Sequence, residues 1–167
     1  MARIRPAIEE DSEAIAEIYN QGIEDRIATF ETEERTADER RRWLSQHDGR
    51  HPVLVAEEGG EVAAWVSLSA YSQRPCYGGV GEFSIYVRRD LRGKGLGTKL
   101  IKSMIEEADS LGYWKITSRI FTFNEASRRL CSKMGFREVG ILEKHGKLDG
   151  EWIDVVEVER LITRNLR

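Results

Sequence analysis

A chain of 167 residues, 40% hydrophobic and 33% charged, can bury a core as a single domain over residues 1–167 without disulfide or metal staples. A net charge of −3 gives no electrostatic footprint for nucleic acid, no run is long enough to read as a membrane span, and MARIRPAIEEDSEAI is too acidic for a signal peptide. Cys76 and Cys131 lack metal-ligand spacing, which points to reduced thiols, no metal and a cytoplasmic location.

RIRPAI reads as a first strand, and Asp11 or Ser12 caps a helix whose Ile15, Ile18 and Tyr19 share one face. QGIEDRIATFETEE reads as a loop. Thr36 and Glu39 form a capping box opening ADERRRWLSQH, a helix whose charge run reads as a solvated outer face. HPVLVAEEGGEVAAWVSLSA is a hairpin turning at Gly59 and Gly60, with Val62, Ala64, Val66 and Leu68 on one side. After the irregular YSQRPCYGGVG, the strand EFSIYV alternates Phe83, Ile85 and Val87 with Glu82, Ser84 and Tyr86.

Beyond VRRDLRGKGLGTKL, the residues Leu96, Leu100, Ile101, Met104, Ile105 and Ala108 mark an apolar helical stripe ending near Gly112. YWKITSRIF is the next strand, Asn124 caps the helix EASRRLCSKM, and Gly135 terminates it. FREVGIL and WIDVVEVERLI form a last strand pair around Asp149 and Gly150. The order β-α-α-β-β-β-α-β-α-β-β is an α+β, mixed-sheet pattern with one strand-turn-helix unit at its centre.

That central turn is the chemical signal. Glycines entering a helix expose unpaired backbone N–H groups at the positive end of its dipole, which suits a phosphate. Residues Gly93 to Lys99 lack the spacing of a Walker A loop, and a dinucleotide fingerprint would need glycine where Thr98 stands. Arg92-Gly93-Lys94-Gly95-Leu96-Gly97 fits R/Q-x-x-G-x-G/A instead, the alternative being a tight turn with no ligand.

The motif resembles the pyrophosphate-binding turn of the GNAT N-acetyltransferases, and TFNEASRRLCSKMGF resembles that superfamily's later cofactor segment. The order of elements matches from Arg3 to about Ile162. IYNQGIEDRIATFETEERT, RPCY, GEFSIYV and DGEWIDV are similar to the phosphinothricin and methionine sulfoximine acetyltransferase branch. The resemblance implies a splayed mixed sheet of about seven strands flanked by about four helices, and acetyl-CoA as cosubstrate without a metal. It also implies a small-molecule amine as acceptor, with no nucleic acid or membrane partner, and a homodimer with the C-terminal strands near the contact. Arg92, Gly93, Lys94, Gly95, Leu96, Gly97 and Thr98 would then hold the pyrophosphate, and Asn124 would meet pantetheine or phosphate. A backbone N–H of Ile85, Tyr86 or Val87 would receive the thioester oxygen.

Acyl transfer from a thioester to an amine needs a base for the amine and a site for the developing oxyanion. Glu82 stands where the branch carries its glutamate, with Gly81 leaving room for ligand or water; the alternative is a carboxylate on the open face of a strand. Arg74 and Tyr77 match the branch's substrate-binding pair, against an ordinary exposed loop arginine, and Phe30 is a candidate wall of the amine pocket. Cys131 occupies the slot of the usual tyrosine acid, as a thiol donor or a small buried filler. His145 reads as a surface histidine, and Trp43, Trp65, Trp114 and Trp152 as core or subunit-contact residues. The expected activity is direct acetylation of a small amino acid or analogue. The rivals are a protein or peptide acetyltransferase of the same fold and a non-catalytic coenzyme A sensor, which would need no base.

Overall fold

The computed structural model describes residues 1–167 as β1 (Arg3–Pro6), α1 (Ser12–Asp25), α2 (Ala37–Ser45), β2 (Val53–Glu58), β3 (Glu61–Ala70), β4 (Val80–Val87), α3 (Leu96–Ser110), β5 (Lys115–Phe121), α4 (Glu125–Lys133), β6 (Arg137–Leu148) and β7 (Glu151–Leu161). One seven-stranded sheet runs in the order β1-β2-β3-β4-β5-β7-β6. Only β4 and β5 are parallel, which makes the sheet mixed. The α+β order and the number of elements are those read from the sequence.

Strand alternation distributes two cores on opposite faces of the sheet. Ala64, Val66, Leu68 and Phe83 pack with Leu100, Ile101 and Met104 of α3 and with Cys131 of α4. The intervening residues Val55 and Trp65 face the other way and pack against Ile15, Ile18, Tyr19 and Ile23 of α1. Helices therefore cover both faces, and Val62, expected on the side of Ala64, Val66 and Leu68, packs instead in the layer of Val55 and Trp65, because the hairpin register shifts between Ala56 and Glu57.

The structure changes three local expectations. Asp11 does not cap α1 through its side chain; its carboxylate accepts from both Arg5 guanidinium ends at 2.8 and 2.9 Å and from the Ile8 N–H at 2.8 Å. Gln21 to Asp25 are helical instead of loop, because Ile23 continues the buried stripe and Gly22 lies against Tyr86, 2.8 Å from where a Cβ would stand. The last hairpin also extends further, with β6 continuing to Leu148 across a register shift between Leu142 and Gly146. Thr36 does cap α2, its Oγ1 accepting from the Glu39 N–H at 3.1 Å.

Candidate active site

The glycine turn begins as β4 ends. Gly93 and Gly95 adopt positive φ of 77° and 87°, a backbone open to glycine, and neither would bring a Cβ within 4 Å of another atom. The solvent side of the turn is therefore free for a ligand. Gly97 serves a different need, since a Cβ there would lie 2.8 Å from Leu130 Cδ2 and push α3 from α4. Gly95 is the N-cap of α3 and has no side chain to satisfy the helix, so the N–H groups of Leu96, Gly97 and Thr98 remain as donors at the positive end of 15 residues. No acidic residue occupies that first turn.

A cavity of ≈ 360 Å³ lies over these donors. Ile85, Tyr86, Val87, Arg92, Gly93, Gly95, Gly97, Thr98 and Asn124 line it, as expected of the cofactor residues, whereas the side chains of Lys94 and Leu96 do not. Leu96 is buried in the core, leaving its backbone N–H as its contribution. Ala126, Ser127, Leu130 and Lys133 of α4 and Gly22, Ile27 and Ala28 at the end of α1 and beyond it complete the wall; the sequence shows Lys133 only as the lysine of CSKMGF. Arg92 Nη1 donates to Asp25 at 2.6 Å, and Arg89 donates to the same carboxylate at 2.8 Å. Led by the Arg89 hydrogen bond, these contacts hold the Asp25 carboxyl below its ordinary pKa and tie the turn to the end of α1.

From that cavity the sheet opens. β4 and β5 pair only at Val80, Gly81 and Glu82, after which they part. The Ser118 hydroxyl, donating to the Phe83 carbonyl at 2.9 Å, closes the last joined rung. Alternation puts the Ile85 N–H on the same edge as that carbonyl, facing the gap with no β5 partner. A narrow cavity of ≈ 60 Å³ occupies the gap, lined by Phe83, Ile85, Ser118, Ile120, Leu130 and Cys131 among others. Cys131 is 2% exposed, and burial pushes its thiol up to about 12, so it is neutral and no thiolate nucleophile.

The opposite face of β3 and β4 is polar. The register sets Ser69 against Glu82, Ser67 against Ser84 and Trp65 against Tyr86 on one surface. A cavity of ≈ 420 Å³ stands on it, lined by those serines, Tyr86 and Trp65, by Ala28, Thr29 and Glu31 of the α1–α2 loop, and by Arg35, Glu39, Arg40 and Trp43. It shares Ala28, Ser84 and Tyr86 with the gap between the strands. Glu82, half-buried one residue pair beyond Ser84, makes no hydrogen bond or ion pair within the chain and leaves its carboxylate available. Gly81 does not make room for ligand, as expected, but for the core: a Cβ there would meet Leu68 at 2.7 Å and Tyr113 at 3.1 Å.

The remaining candidates separate. Asn124 lines both cofactor-side cavities, but its amide is engaged, accepting from the Ser127 N–H at 3.2 Å and donating to the Ile27 carbonyl at 3.1 Å. Phe30 packs edge-on against Phe121, ring centroids 4.8 Å apart, and borders none of the three cavities; Ala28 and Thr29 form the wall in its place. Arg74 and Tyr77 are exposed in the loop leading into β4, the guanidinium 5.8 Å above the Tyr77 ring and free of any carboxylate. His145 lies on the surface of β6. Trp65 is core and Trp43 packs on it, while Trp152 is exposed. No cluster of three or more His, Cys, Asp or Glu side chains is arranged to hold a metal, and no helix is long and apolar enough to cross a membrane.

The family profile of the acetyltransferase (GNAT) domain matches residues 4–156. The phosphinothricin N-acetyltransferase of Streptomyces coelicolor is 33% identical over 162 residues, covering 95% of each chain. The L-methionine sulfoximine/L-methionine sulfone acetyltransferase of Pseudomonas paraeruginosa is 32% identical, covering 92% of this chain and 91% of its own. Among solved structures, a GNAT phosphinothricin acetyltransferase from Sinorhizobium meliloti in complex with acetyl-CoA superposes with a TM-score of 0.90 at 29% identity, covering 96% of this chain and 88% of that one. A ribosomal-protein-alanine N-acetyltransferase from Brucella melitensis does so at 0.93 and 31%, covering 96% and 99%. With its glycine turn, free helix N–H groups and parted strands, the chain belongs to the GNAT family, in the branch of the phosphinothricin and methionine sulfoximine acetyltransferases, and is an acetyl-CoA-dependent N-acetyltransferase.

Proposed function

We propose that the acceptor is the primary amine of a small amino acid or analogue of the phosphinothricin or methionine sulfoximine type, and that Glu82 is the general base. One observation carries this reading. The ≈ 420 Å³ cavity rests on the face that bears Glu82, and it shares residues with the gap between β4 and β5. That volume lies within the range of about 300–1,000 Å³ usual for small-molecule sites.

The division of labour follows from the two sides of β4. The turn, with Arg92, Gly93, Gly95, Thr98 and Lys133 around it, supplies backbone donors and cations for the phosphates of coenzyme A. Bound acetyl-CoA supplies an acetyl thioester. The parted strands leave the Ile85 N–H free to donate to an oxygen that gains negative charge, and their apolar walls exclude water there. On the other side, Glu82 takes the proton of the incoming ammonium, directly or through water. Arg74 and Tyr77, in the loop preceding Glu82 and outside the three cavities, are assigned to the acidic oxygens of the acceptor side chain by their match to the branch's substrate-binding pair, a task suited to a planar guanidinium. The coenzyme A leaving group departs as a thiolate and takes up the second proton that the acceptor amine releases, while burial raises the Cys131 pKa and makes that thiol a poor donor.

A homodimer and a cytoplasmic setting complete the reading. It is tested by incubating the protein with acetyl-CoA and a panel comprising phosphinothricin, methionine sulfoximine, methionine sulfone, the common amino acids and a peptide with a free N-terminus. Acetylation of the small amino acids ahead of the peptide is the expected result. Preference for the peptide would move the acceptor to a protein amine; the Brucella neighbour is named a ribosomal-protein-alanine N-acetyltransferase.

A further inference from the structure

Arg40 is the one arginine of α2 that turns inward. It is 7% exposed, and its guanidinium carbon lies 4.2 Å from the Tyr19 ring centroid, 4.7 Å from Trp43 and 5.8 Å from Trp65. No carboxylate, hydroxyl or carbonyl of the protein accepts a hydrogen bond from it. Its neighbour Arg35 shows the contrast, being paired with both Glu31 and Glu39. Desolvation draws the Arg40 pKa below its ordinary value, with Tyr19 and Glu31 countering, and a guanidinium remains charged under such a shift.

Aromatic faces attract a cation but take none of its five N–H donors. The Arg40 donors therefore open onto the cavity, where solvent or a ligand completes them. The side chain lines the ≈ 420 Å³ cavity, where Ser67, Ser69 and Ser84 also present hydroxyls with no partner in the chain. Trp65, on the same wall, has a buried indole N–H without an acceptor. The cavity thus has Arg40 and the Trp65 indole N–H at one end, serine hydroxyls along its floor, the Glu31 and Glu39 carboxylates already paired with Arg35, and a free carboxylate, Glu82, beyond Ser69 at the other end. Ser67 and Ser84 oppose each other between these ends, each about 7 Å along its strand from the next same-face residue.

Building on the amino acid acceptor proposed above, we propose that Arg40 is the carboxylate-binding residue of this cavity, holding the α-carboxylate of the acceptor with help from the Ser67 and Ser84 hydroxyls. The amine is thereby directed toward the gap and Glu82, and the acceptor side chain is left to the loop of Arg74. A planar fork meets two carboxylate oxygens at once, and the aromatic rings fix its plane. The acceptor class this defines is a free α-amino acid, since a peptide N-terminus or an amino acid amide lacks the charge that Arg40 awaits.

The experiment compares kcat/KM for L-methionine sulfone and for its α-carboxamide, in the wild-type protein and in Arg40→Gln, with a peptide as a third acceptor. The wild type should prefer the acid by roughly 10- to 100-fold, and Arg40→Gln should abolish most of that preference through KM, leaving the KM for acetyl-CoA unchanged. Arg40→Lys should restore only part of it. An equal loss on acid and amide in Arg40→Gln would reduce Arg40 to a packing residue and overturn the inference while the amino acid reading stands. If Arg40→Gln does not fold, the wild-type ratio decides alone, because equal use of acid and amide would also overturn it. Acetylation of the peptide and of neither small acceptor would overturn the acceptor class, and this inference with it.

Discussion

A primary ammonium is no nucleophile, and on the acceptor face of β4 Glu82 is the carboxylate left without a partner. Glu82→Gln keeps the volume and removes the base. General base catalysis is worth about 10²–10⁴-fold, so kcat should fall by that order at neutral pH and recover in part at high pH, where free amine accumulates. Full activity at pH 7 with unchanged acetyl-CoA affinity would place the base elsewhere. Cys131 gives a second test through stability. Burial pushes its thiol up to about 12, whereas an unfolded cysteine ionises near 8.5. The raised value means that its stabilising contribution is complete below about pH 8.5 and is lost as pH climbs toward 12, with a slope of at most about 1.4 kcal/mol per pH unit. Urea titrations between about pH 8 and 10 should therefore show a decline that is shallower in Cys131→Ala, with kcat near wild type. An unchanged slope would show that the thiol does not report this burial. At this scale the sequence exposes types better than surroundings. The strand position of Glu82 is legible in the alternation of EFSIYV, whereas its proposed role as base rests on the family pattern. Arg40 was read with its neighbours as a solvated charge run, and only the i, i+3 spacing to Trp43 hinted that it shares the buried face.

The turn between β4 and α3 shows how one motif contains two different constraints. Gly93 and Gly95 are required by their backbone conformation, Gly97 by the approach of Leu130. The sequence displays the alternate glycines and their place before a helix, but φ values and interhelical distances belong to the folded chain. The distinction alters the experiment that best interrogates the turn. A Cβ at Gly95 meets no atom, so Gly95→Ala carries only the left-handed backbone penalty, about 1–2 kcal/mol. Urea denaturation should register that loss, and calorimetry with coenzyme A should register weaker binding as the turn relaxes. Lys94→Ala, at an exposed site off the cavity, should leave stability unaltered. Equal stability of Gly95→Ala and wild type would mean that the turn tolerates other shapes, and that the glycine is there for the ligand alone.

At the scale of the molecule, the order of strands and helices was legible because each element carries its own period or cap. The parting of β4 and β5 was not, because both strands read alike along their length and only the family resemblance announced it. Beyond Glu82, β5 has no partner on its β4 edge, while β7 pairs its other edge as far as Phe121, so the upper half of β5 is held on one edge only. The same arrangement pushes β6 to the rim and exposes apolar surface there. Ile141 is 54% exposed and Trp152 56%, and their pairings with Val156 and Lys147 put both on one face of the hairpin. These two side chains are the exposed apolar surface that the hairpin offers for a contact between copies. The contact that fits the proposed homodimer is the same hairpin of a second copy, since a two-fold axis makes such a patch self-complementary. Sedimentation at micromolar concentration should give twice the 19.1 kDa chain mass. Substitution of the rim, Trp152→Arg with Ile141→Asp, should shift the protein to monomer by burying charge at the centre of the contact. A wild-type monomer under these conditions would remove the dimer from the proposal. A dimer that survives both substitutions would move its interface off β6 and β7.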